Sequence, residues 1–421
     1  MRQALSVIFL FAIFGSSFGQ TYPYKKIIEE LCSPSYSGRG YVAQGAEKAA
    51  ALIAREFQNI GLKPLQKKSY FQSFSFPVQT FPGTCLLIIG KDTLQPGKDF
   101  IVDPASAGIQ TQQPYQLVYC NTKSLYRSVN AFKPCPADRM LVVKTSGFGG
   151  DTNKVMQARL NELKQFAAVL EITDNKLTWS VSQTALPYPA FTAKEALFKD
   201  QPKSATIHLE STFIKNYKSS NVLGYLPAAE NAKTKPYIVL TAHYDHLGRM
   251  GKETYFPGAN DNASGVGMLL YLAEQLKKQR NPNFNYAFIA FSGEEAGLLG
   301  SAYFVGHPLI PLNNIRFLLN TDIMGSGEEG ITVVNATLFK QEFEKLVQLN
   351  QQGTFLTQVK SRGPAANSDH YFFTEKGVPA FFIYTMGPNK NYHDVFDQYE
   401  ALSFAAFEPL AKLLYEFLNS F

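Results

Sequence analysis

Apolar runs alternate with helical patterns over the second half of the chain, from Asn221 onward. The runs cover residues 237–240, 287–291, 315–319, 331–334 and 378–384. Between the first two runs, Val266, Leu269 and Leu276 recur at the spacing of one helical face. Strands of a parallel sheet are covered on both faces, so they read as continuous apolar runs joined by helices. The pattern therefore predicts parallel strands linked by helices.

The first half of the chain has a different pattern of apolar and polar residues. From Gly45 to Leu62 the apolar residues lie on one helical face and the pattern stops at Gly61, which predicts an amphipathic helix. From about Thr84 to Phe213 the sequence is rich in Tyr, Phe, Thr and Gln, with short apolar runs at 85–89 and 140–143 and one helical pattern from Met156. We interpret this region as a mixed α/β insert with a structural or substrate-shaping role.

Length and composition narrow the function classes. A chain of 421 residues has room for two or three domains at roughly 150 residues each. With 45% apolar and 18% charged residues, it is neither disordered nor fibrous. The formal net charge of +6 is small for this length and does not indicate a nucleic-acid binder.

The N-terminus reads as a secretory signal. Arg2 precedes an apolar run from Leu5 to Phe14, and small residues follow up to Gly19. The run is too short to span a bilayer, and no later segment is long enough either. We therefore expect residues 1–19 to be removed and the mature chain to be periplasmic or secreted, without stable membrane association.

The cysteines leave two alternatives open. Cys32, Cys85, Cys120 and Cys135 show no CxxC spacing, which argues against a thiolate zinc site. In an oxidising compartment an even number of cysteines is compatible with disulfides, and Cys120 with Cys135 would close the shortest loop. Buried free thiols are the other interpretation.

A polar cluster stands directly after most of the predicted strands, where ligands bind in open parallel sheets. These clusters, with one in the loop before the long helix, are His243-Tyr244-Asp245, Asn260-Asp261-Asn262, Glu294-Glu295, Asn320-Thr321-Asp322 and Tyr392-His393-Asp394. Imidazole nitrogen and carboxylate oxygen together suit zinc. Two ions, each with one histidine and one carboxylate and sharing a third carboxylate, would nearly balance the charge. A hydroxide between them would act as the nucleophile, and a carboxylate that is not a ligand would take the proton from its parent water.

These segments resemble the co-catalytic zinc aminopeptidases, a group related to glutamate carboxypeptidase II and the transferrin receptor. The resemblance is carried by AHYDHLG (242–248), GANDNASG (258–265), SGEEAGLLGS (292–301), LNTDIMG (319–325), NSDHYFF (367–373) and YHDVFD (392–397). It implies an α/β fold, with a three-layer α/β/α zinc-peptidase domain around a mixed, mainly parallel sheet. It also implies a discontinuous catalytic domain of residues 20–83 and 214–421, interrupted by a protease-associated-like insert at residues 84–213.

The resemblance also implies a ligand set for two zinc ions. His243 and Asp322 match the ligands of one ion, Glu295 and His393 match those of the other, and Asp261 matches the aspartate that bridges them. In such enzymes the peptide bond after Asp261 is often cis.

Three further residues match catalytic positions of that family. Glu294 aligns with the general base and later general acid, and Asp245 with a carboxylate that orients the imidazole of His243. Tyr392 matches a phenol that hydrogen-bonds the oxyanion, although a packing role for it stays open. One departure is Asp394, where many relatives have Thr.

The leading hypothesis is a di-zinc exopeptidase that removes N-terminal residues from peptides. A carboxypeptidase or dipeptidase is the alternative, followed by a mono-zinc glutaminyl cyclase, which the complete ligand set disfavours. A non-enzymatic ectodomain like the transferrin receptor is disfavoured for the same reason. Of the other histidines, His246 and His370 are candidates for the pocket wall or for packing, and His208 and His307 for the surface or a structural role.

Overall fold

The computed structural model describes residues 22–66, 68–120, 138–144 and 167–421. The predicted signal peptide, the helical pattern from Met156 to Leu163 and the suggested pairing of Cys120 with Cys135 lie outside the described residues and side chains. Cys32, which is buried, and Cys85, which is partly buried, are free thiols. None of the helices described is both long enough and apolar enough to cross a membrane.

The described strands and helices have the following bounds. The strands are β1 (Lys63–Pro64), β2 (Phe71–Thr80), β3 (Cys85–Ile89), β4 (Asp92–Leu94), β5 (Phe100–Val102), β6 (Ile109–Gln110), β7 (Tyr115–Cys120), β8 (Arg139–Lys144), β9 (Ala168–Thr173), β10 (Ala190–Lys194), β11 (Ser204–Leu209), β12 (Thr212–Leu226), β13 (Tyr237–His243), β14 (Gly248–Met250), β15 (Thr254–Phe256), β16 (Asn285–Phe291), β17 (Ile315–Thr321), β18 (Ile331–Val334), β19 (Val359–Ser361) and β20 (Ala380–Thr385). The α-helices are α1 (Tyr24–Cys32), α2 (Gly45–Ile60), α3 (Ser264–Lys278), α4 (Leu299–Gly306), α5 (Lys340–Gly353), α6 (His370–Glu375) and α7 (Phe407–Asn419).

The first sheet has the order β1-β12-β16-β13-β17-β20-β18-β19, with β2 also paired to β12. Its central strands β16, β13, β17 and β20 are parallel to one another. β12 is antiparallel to β16, and β18 is antiparallel to β20. The expectation of a mixed sheet with a parallel centre is confirmed. The apolar run in β18 did not reveal its direction, because a strand covered on both faces reads the same whichever way it runs.

Helices cover both faces of this sheet. Along β16, Phe288 and Ala290 pack into a core that includes apolar residues of α1, α2, α3, α5 and α7. The intervening Ile289 and Phe291 face the opposite core, which includes residues of α4 and α6. Since successive side chains of a strand point to opposite faces, the sheet is the middle of three layers. The expected α/β/α arrangement is confirmed.

A second sheet lies within residues 85–209 and has the order β4-β3-β11-β7-β8-β9-β10-β5, with β6 paired to β11. Its strands β7, β8, β9 and β10 are parallel. The boundary predicted between residues 213 and 214 falls inside β12, whose first residues pair with β2. The division of the chain into a catalytic domain and an insert stays a prediction.

Candidate metal centre

Adjacent parallel strands bring the candidate ligands to one edge of the first sheet. β13 ends at His243, Glu294 and Glu295 follow β16, and Asp322 follows β17. β16 and β17 flank β13 on either side, so their carboxyl ends meet. Asp261 lies in the loop directly before α3, where its own backbone is not helical, and His393 comes from the loop after β20.

The five candidate ligands form two groups that share Asp261. His243 Nε2 lies 3.2 Å from Asp261 Oδ1 and 3.4 Å from Asp322 Oδ2. His393 Nε2 lies 3.1 Å from Asp261 Oδ2 and 3.2 Å from Glu295 Oε2. The two oxygens of one carboxylate thus face two different imidazoles. The structure brings all five residues together.

Hydrogen bonds at the other ring nitrogens orient both imidazoles. His243 Nδ1 lies 3.1 Å from the backbone carbonyl of Asp245, and His393 Nδ1 lies 3.0 Å from the carbonyl of Trp179. A carbonyl oxygen only accepts, so each Nδ1 carries a proton, and Nε2 is the nitrogen whose lone pair a metal ion would use. Asp322 Oδ1 is buried and has no hydrogen-bond partner among the described residues. Lone pairs and carboxylate oxygens that converge in this way fit divalent cations such as zinc.

The charges in this region favour bound cations. Burial lowers the pKa of the His393 imidazole, but the adjacent Glu295 and Asp261 outweigh it and raise the pKa to about 11. Burial raises the pKa of Glu295, yet His393 pulls it down to about 2. The carboxylates therefore stabilise a positive charge next to them. A metal ion would compete with protons for the imidazole nitrogens and the carboxylate oxygens.

Asp245 contacts the Glu294–Glu295 segment rather than the imidazole of His243. Its Oδ1 and Oδ2 accept the backbone N–H groups of Glu294 (3.3 Å) and Glu295 (3.2 Å), and Oδ2 also accepts the Tyr41 hydroxyl at 2.5 Å. The distance from His243 Nδ1 to Asp245 Oδ1 is 3.9 Å. In this structure the backbone carbonyl of Asp245 orients the imidazole, while its carboxylate holds the turn that carries both glutamates.

A cavity of about 200 Å³ opens beside the candidate ligands. Glu294 and Tyr392 line it, and the Tyr392 ring, 46% exposed, stacks on His393 with centroids 4.0 Å apart. Arg362 and Tyr384 also line it, and Arg362 Nη1 donates to the Tyr384 hydroxyl at 3.1 Å. Arg362 could not be found from the sequence, because no nearby motif singles out an arginine in that loop.

Two buried charged side chains that the sequence analysis missed hold the loop around Asp261. The Arg39 guanidinium donates to the carbonyls of Pro257 and Gly258, both at 2.6 Å. The Asp397 carboxylate accepts the backbone N–H groups of Asn260 (2.9 Å) and Asp261 (3.0 Å). The peptide bond between Asp261 and Asn262 is cis, as expected.

The remaining histidines divide into one at the site and three away from it. His246 is fully buried, and its Nδ1 lies 2.7 Å from Glu295 Oε1, so it holds that carboxylate. A nitrogen of His246 also lies within 4.8 Å of oxygens of Asp261 and Glu295, but His393 faces the cavity and His246 does not. His370 packs on Phe382 in α6, with ring centroids 5.3 Å apart. His208 lies 3.7 Å from Glu210, and His307 stacks on Tyr303.

Known structures share this fold over nearly the whole chain. A zinc aminopeptidase from Bacillus subtilis, called BSAP, superposes with a TM-score of 0.71, covering 94% of each chain at 20% identity. A Peptidase M28 precursor from Shewanella amazonensis gives a TM-score of 0.65 and covers 94% of this chain and 96% of its own, at 15% identity.

Curated relatives match a part of the chain. Aminopeptidase YwaD of Bacillus subtilis is 34% identical over 153 residues, which is 36% of this chain and 31% of the relative. A probable zinc metalloprotease of Pyrenophora tritici-repentis is 38% identical over 115 residues, 26% of this chain and 23% of its own. The chain thus spans less than a third of the length of these two relatives.

The model of Peptidase family M28 matches residues 221–418. This segment holds β13, β16, β17 and β20 and every candidate ligand. The resemblance found in the sequence motifs is therefore confirmed. The segment that holds the candidate ligands is thus the one that is similar to Peptidase family M28.

Proposed function

We propose that this chain is a di-zinc aminopeptidase, secreted or periplasmic, that removes N-terminal residues from peptides. The observation that carries the proposal is the position of Asp261, whose two oxygens lie 3.2 Å and 3.1 Å from the Nε2 atoms of His243 and His393. A carboxylate between two imidazoles, each with a further carboxylate beside it, matches a pair of metal sites with a shared ligand. YwaD is named an aminopeptidase and BSAP a zinc aminopeptidase, and both names support the same activity.

The residues around the cavity have distinct tasks in peptide hydrolysis. Bound zinc would polarise the scissile carbonyl and activate a water molecule. Glu294 takes the proton from that water and later donates it to the leaving amine. In the metal-free chain, burial and nearby carboxylates such as Glu295 and Asp369 raise the pKa of Glu294 well above its ordinary value. The Tyr392 phenol on the cavity wall donates to the developing oxyanion.

The size of the cavity supports exopeptidase action. A volume of about 200 Å³ accommodates roughly one residue of a substrate. A site of this size favours cleavage at the end of a peptide chain, and the aminopeptidase names of YwaD and BSAP favour the N-terminal end.

One observation favours the alternative of a carboxypeptidase or dipeptidase. Arg362 lines the cavity and presents a guanidinium, which is the group best suited to bind a carboxylate in a bidentate manner. A free C-terminal carboxylate at this position would place the last peptide bond of the substrate near Glu294. A mono-zinc glutaminyl cyclase is less favoured, because both histidine–carboxylate groups are complete.

Substitution of the proposed base tests the mechanism. Glu294→Gln removes the proton acceptor and keeps the size of the side chain, so we expect kcat on aminoacyl p-nitroanilides to fall by about 100-fold to 10,000-fold, the typical contribution of general-base catalysis. Zinc content, measured by mass spectrometry, should stay at two ions per chain. Glu344→Gln, an exposed position on α5, is the matched control and should keep full activity. Unchanged kcat in Glu294→Gln, or a single zinc ion in the wild-type chain, would contradict the proposal.

Substrate end groups separate the aminopeptidase from the alternatives. We expect peptides with a free N-terminus to be cleaved and N-acetylated peptides of the same sequence to be resistant. C-terminally amidated peptides should be cleaved as fast as those with a free carboxylate. Loss of cleavage on amidation instead of acetylation would favour the carboxypeptidase or dipeptidase.

A further inference from the structure

The segment between β9 and β10 of the second sheet contacts the loop that carries His393. Trp179 donates its backbone N–H to the carbonyl of His393 at 2.8 Å, and His393 Nδ1 donates to the carbonyl of Trp179 at 3.0 Å. The two residues therefore make a reciprocal pair of hydrogen bonds. One of these bonds reaches the imidazole itself.

That bond determines which way the imidazole points. His393 lies in a loop and has a φ of +53°, a conformation that few residues other than glycine adopt. The Tyr392 ring stacks on this imidazole, and the bond to the Trp179 carbonyl sets which ring nitrogen faces the carboxylates. With Nδ1–H fixed on the Trp179 carbonyl, Nε2 faces Asp261 and Glu295.

Trp179 is in turn held by the second sheet and by the hairpin β14–β15. Its indole Nε1–H donates to the carbonyl of Val102 in β5 at 2.8 Å. Its ring stacks on Phe256 in β15, with centroids 4.6 Å apart and planes 28° apart, and the residue is only 4% exposed. The carbonyl that accepts from His393 is thus fixed by contacts on both sides of the tryptophan.

Lys176 makes an ion pair and hydrogen bonds to the loop that carries His393. Its ammonium lies 2.5 Å from Asp394 Oδ2 and donates to the carbonyls of Lys390 (2.8 Å) and Tyr392 (3.2 Å). The other oxygen of Asp394 accepts the backbone N–H of Phe396 at 2.8 Å. One lysine from the segment after β9 therefore contacts the chain on both sides of His393.

We propose that Trp179 and Lys176 are positioning residues through which the second sheet holds His393 in its metal-binding orientation. The inference rests on the proposed function only in that Glu295 and His393 hold one of two zinc ions. It gives the predicted insert a defined role, because the site that includes His393 would then depend on the insert while the site formed by His243 and Asp322 would not.

The test is the zinc affinity of each site, measured by competition with a fluorescent chelator. Trp179→Ala should weaken one of the two sites by about 10-fold to 100-fold, the usual cost of losing a group that orients a ligand, and leave the other unchanged. Trp179→Phe, which keeps an aromatic ring against Phe256, should give a smaller loss. At limiting zinc, kcat should fall while KM stays within about twofold, and excess zinc should restore kcat.

Lys176→Met supplies a second variant in case Trp179→Ala does not fold. Its matched control is Lys98→Met, because Lys98 lines the same surface cavity as Lys176 but makes no hydrogen bond or ion pair with the described residues of the His393 loop. Lys176→Met should weaken the same zinc site by about 10-fold, and Lys98→Met should not. Equal affinities in these two lysine variants, or equal loss at both zinc sites in folded Trp179→Ala, would overturn the inference. These results differ from failure of the proposed function, in which the wild-type chain itself would hold fewer than two ions.

Discussion

The buried guanidinium of Arg39 donates its hydrogen bonds to backbone carbonyls. Besides Pro257 and Gly258, its guanidinium donates to the carbonyls of Leu31 (3.1 Å) and Tyr244 (2.8 Å). These carbonyls belong to the end of α1, to the chain after β13 and to the loop that leads to Asp261. One residue therefore fixes three segments relative to each other.

Arg39→Lys tests this role at the scale of the residue. Lysine keeps the charge but has three donors where arginine has five, so some of the buried carbonyls lose their partners. We expect the free energy of unfolding to fall by about 2 to 4 kcal/mol, as for buried polar groups left unpaired. Urea denaturation measures it, and Arg55→Lys, at a side chain 58% exposed, should change it by less than about 0.5 kcal/mol. An equal, small effect in both variants would show that the carbonyls are satisfied without Arg39.

The buried imidazole of His370 should make the stability of the folded chain depend on pH, separately from the metal centre. Burial lowers the pKa of His370 to about 4 in the folded chain, against about 6.5 when unfolded. Between these values the unfolded chain binds a proton that the folded chain does not, so stability falls as the pH falls, by at most about 1.4 kcal/mol per pH unit.

The measurement is the midpoint of urea denaturation between pH 7 and pH 4. His370→Gln removes the titrating ring and should flatten the pH dependence relative to the wild-type chain. His208→Gln, at a partly exposed histidine, is the control and should keep the wild-type slope. If both variants kept that slope, another group would be responsible for it.

At the residue scale, the sequence showed side chains whose chemistry stands out against a buried strand. His243, Glu295 and Asp322 are of this kind, since no strand propensity selects them. Trp179 gave no such signal, because it acts through a backbone carbonyl that every residue possesses. Arg39 was equally hidden, because its burial depends on contacts with segments more than 200 positions away.

At the scale of the element, the pairing of β13 with β16 and β17 brings the candidate site residues to one edge of the sheet. His243 pairs with Phe291, so the chain leaves β13 and β16 at the same level and Glu294 follows three residues later. Sequence reasoning found these strands because both faces are apolar. It did not find the direction of β18, nor the pairing of β2 with β12, which depend on contacts distant in sequence.

Helix α4 lies close to the turn that carries Glu294, and Gly300 is at the contact. A Cβ at Gly300 would lie 2.2 Å from the carbonyl oxygen of Ser292 and 2.4 Å from Asn221 Oδ1, so that turn would have to shift. Gly300→Ala should therefore lower kcat by about 10-fold or more, because small misplacements of catalytic groups are costly.

The control for this experiment lies in the same helix. A Cβ at Gly306 would meet none of the described atoms of other segments within 4 Å, so Gly306→Ala should leave kcat unchanged and raise stability slightly. Steady-state kinetics of the two variants decide the question. Equal kcat in both would mean that the turn tolerates displacement.

At the scale of the whole molecule, the two sheets share apolar contacts. The core of the second sheet includes Leu247, Met250, Phe256 and Val395, all from the part of the chain that follows it. The second sheet is therefore packed against the hairpin β14–β15 and against the loop after β20. Composition alone indicated several domains but not this contact, since it joins residues far apart in the chain.

Removal of metal should therefore destabilise the molecule as one unit. A ligand that binds only the folded state raises its stability, so chelation with 1,10-phenanthroline should lower the melting temperature. We expect a single calorimetric transition before and after chelation. Two separate transitions, of which only one responds to the chelator, would show that the sheets unfold independently.

Trp179 is the only tryptophan in the chain, and it lies one hydrogen bond from His393. The intrinsic tryptophan fluorescence of the protein therefore comes from an indole at the junction of the second sheet and the candidate metal site. Titration of zinc into the metal-free chain should change the intensity or the wavelength of that emission without any added label. The fluorescence of Trp179 should therefore report metal binding at the candidate site.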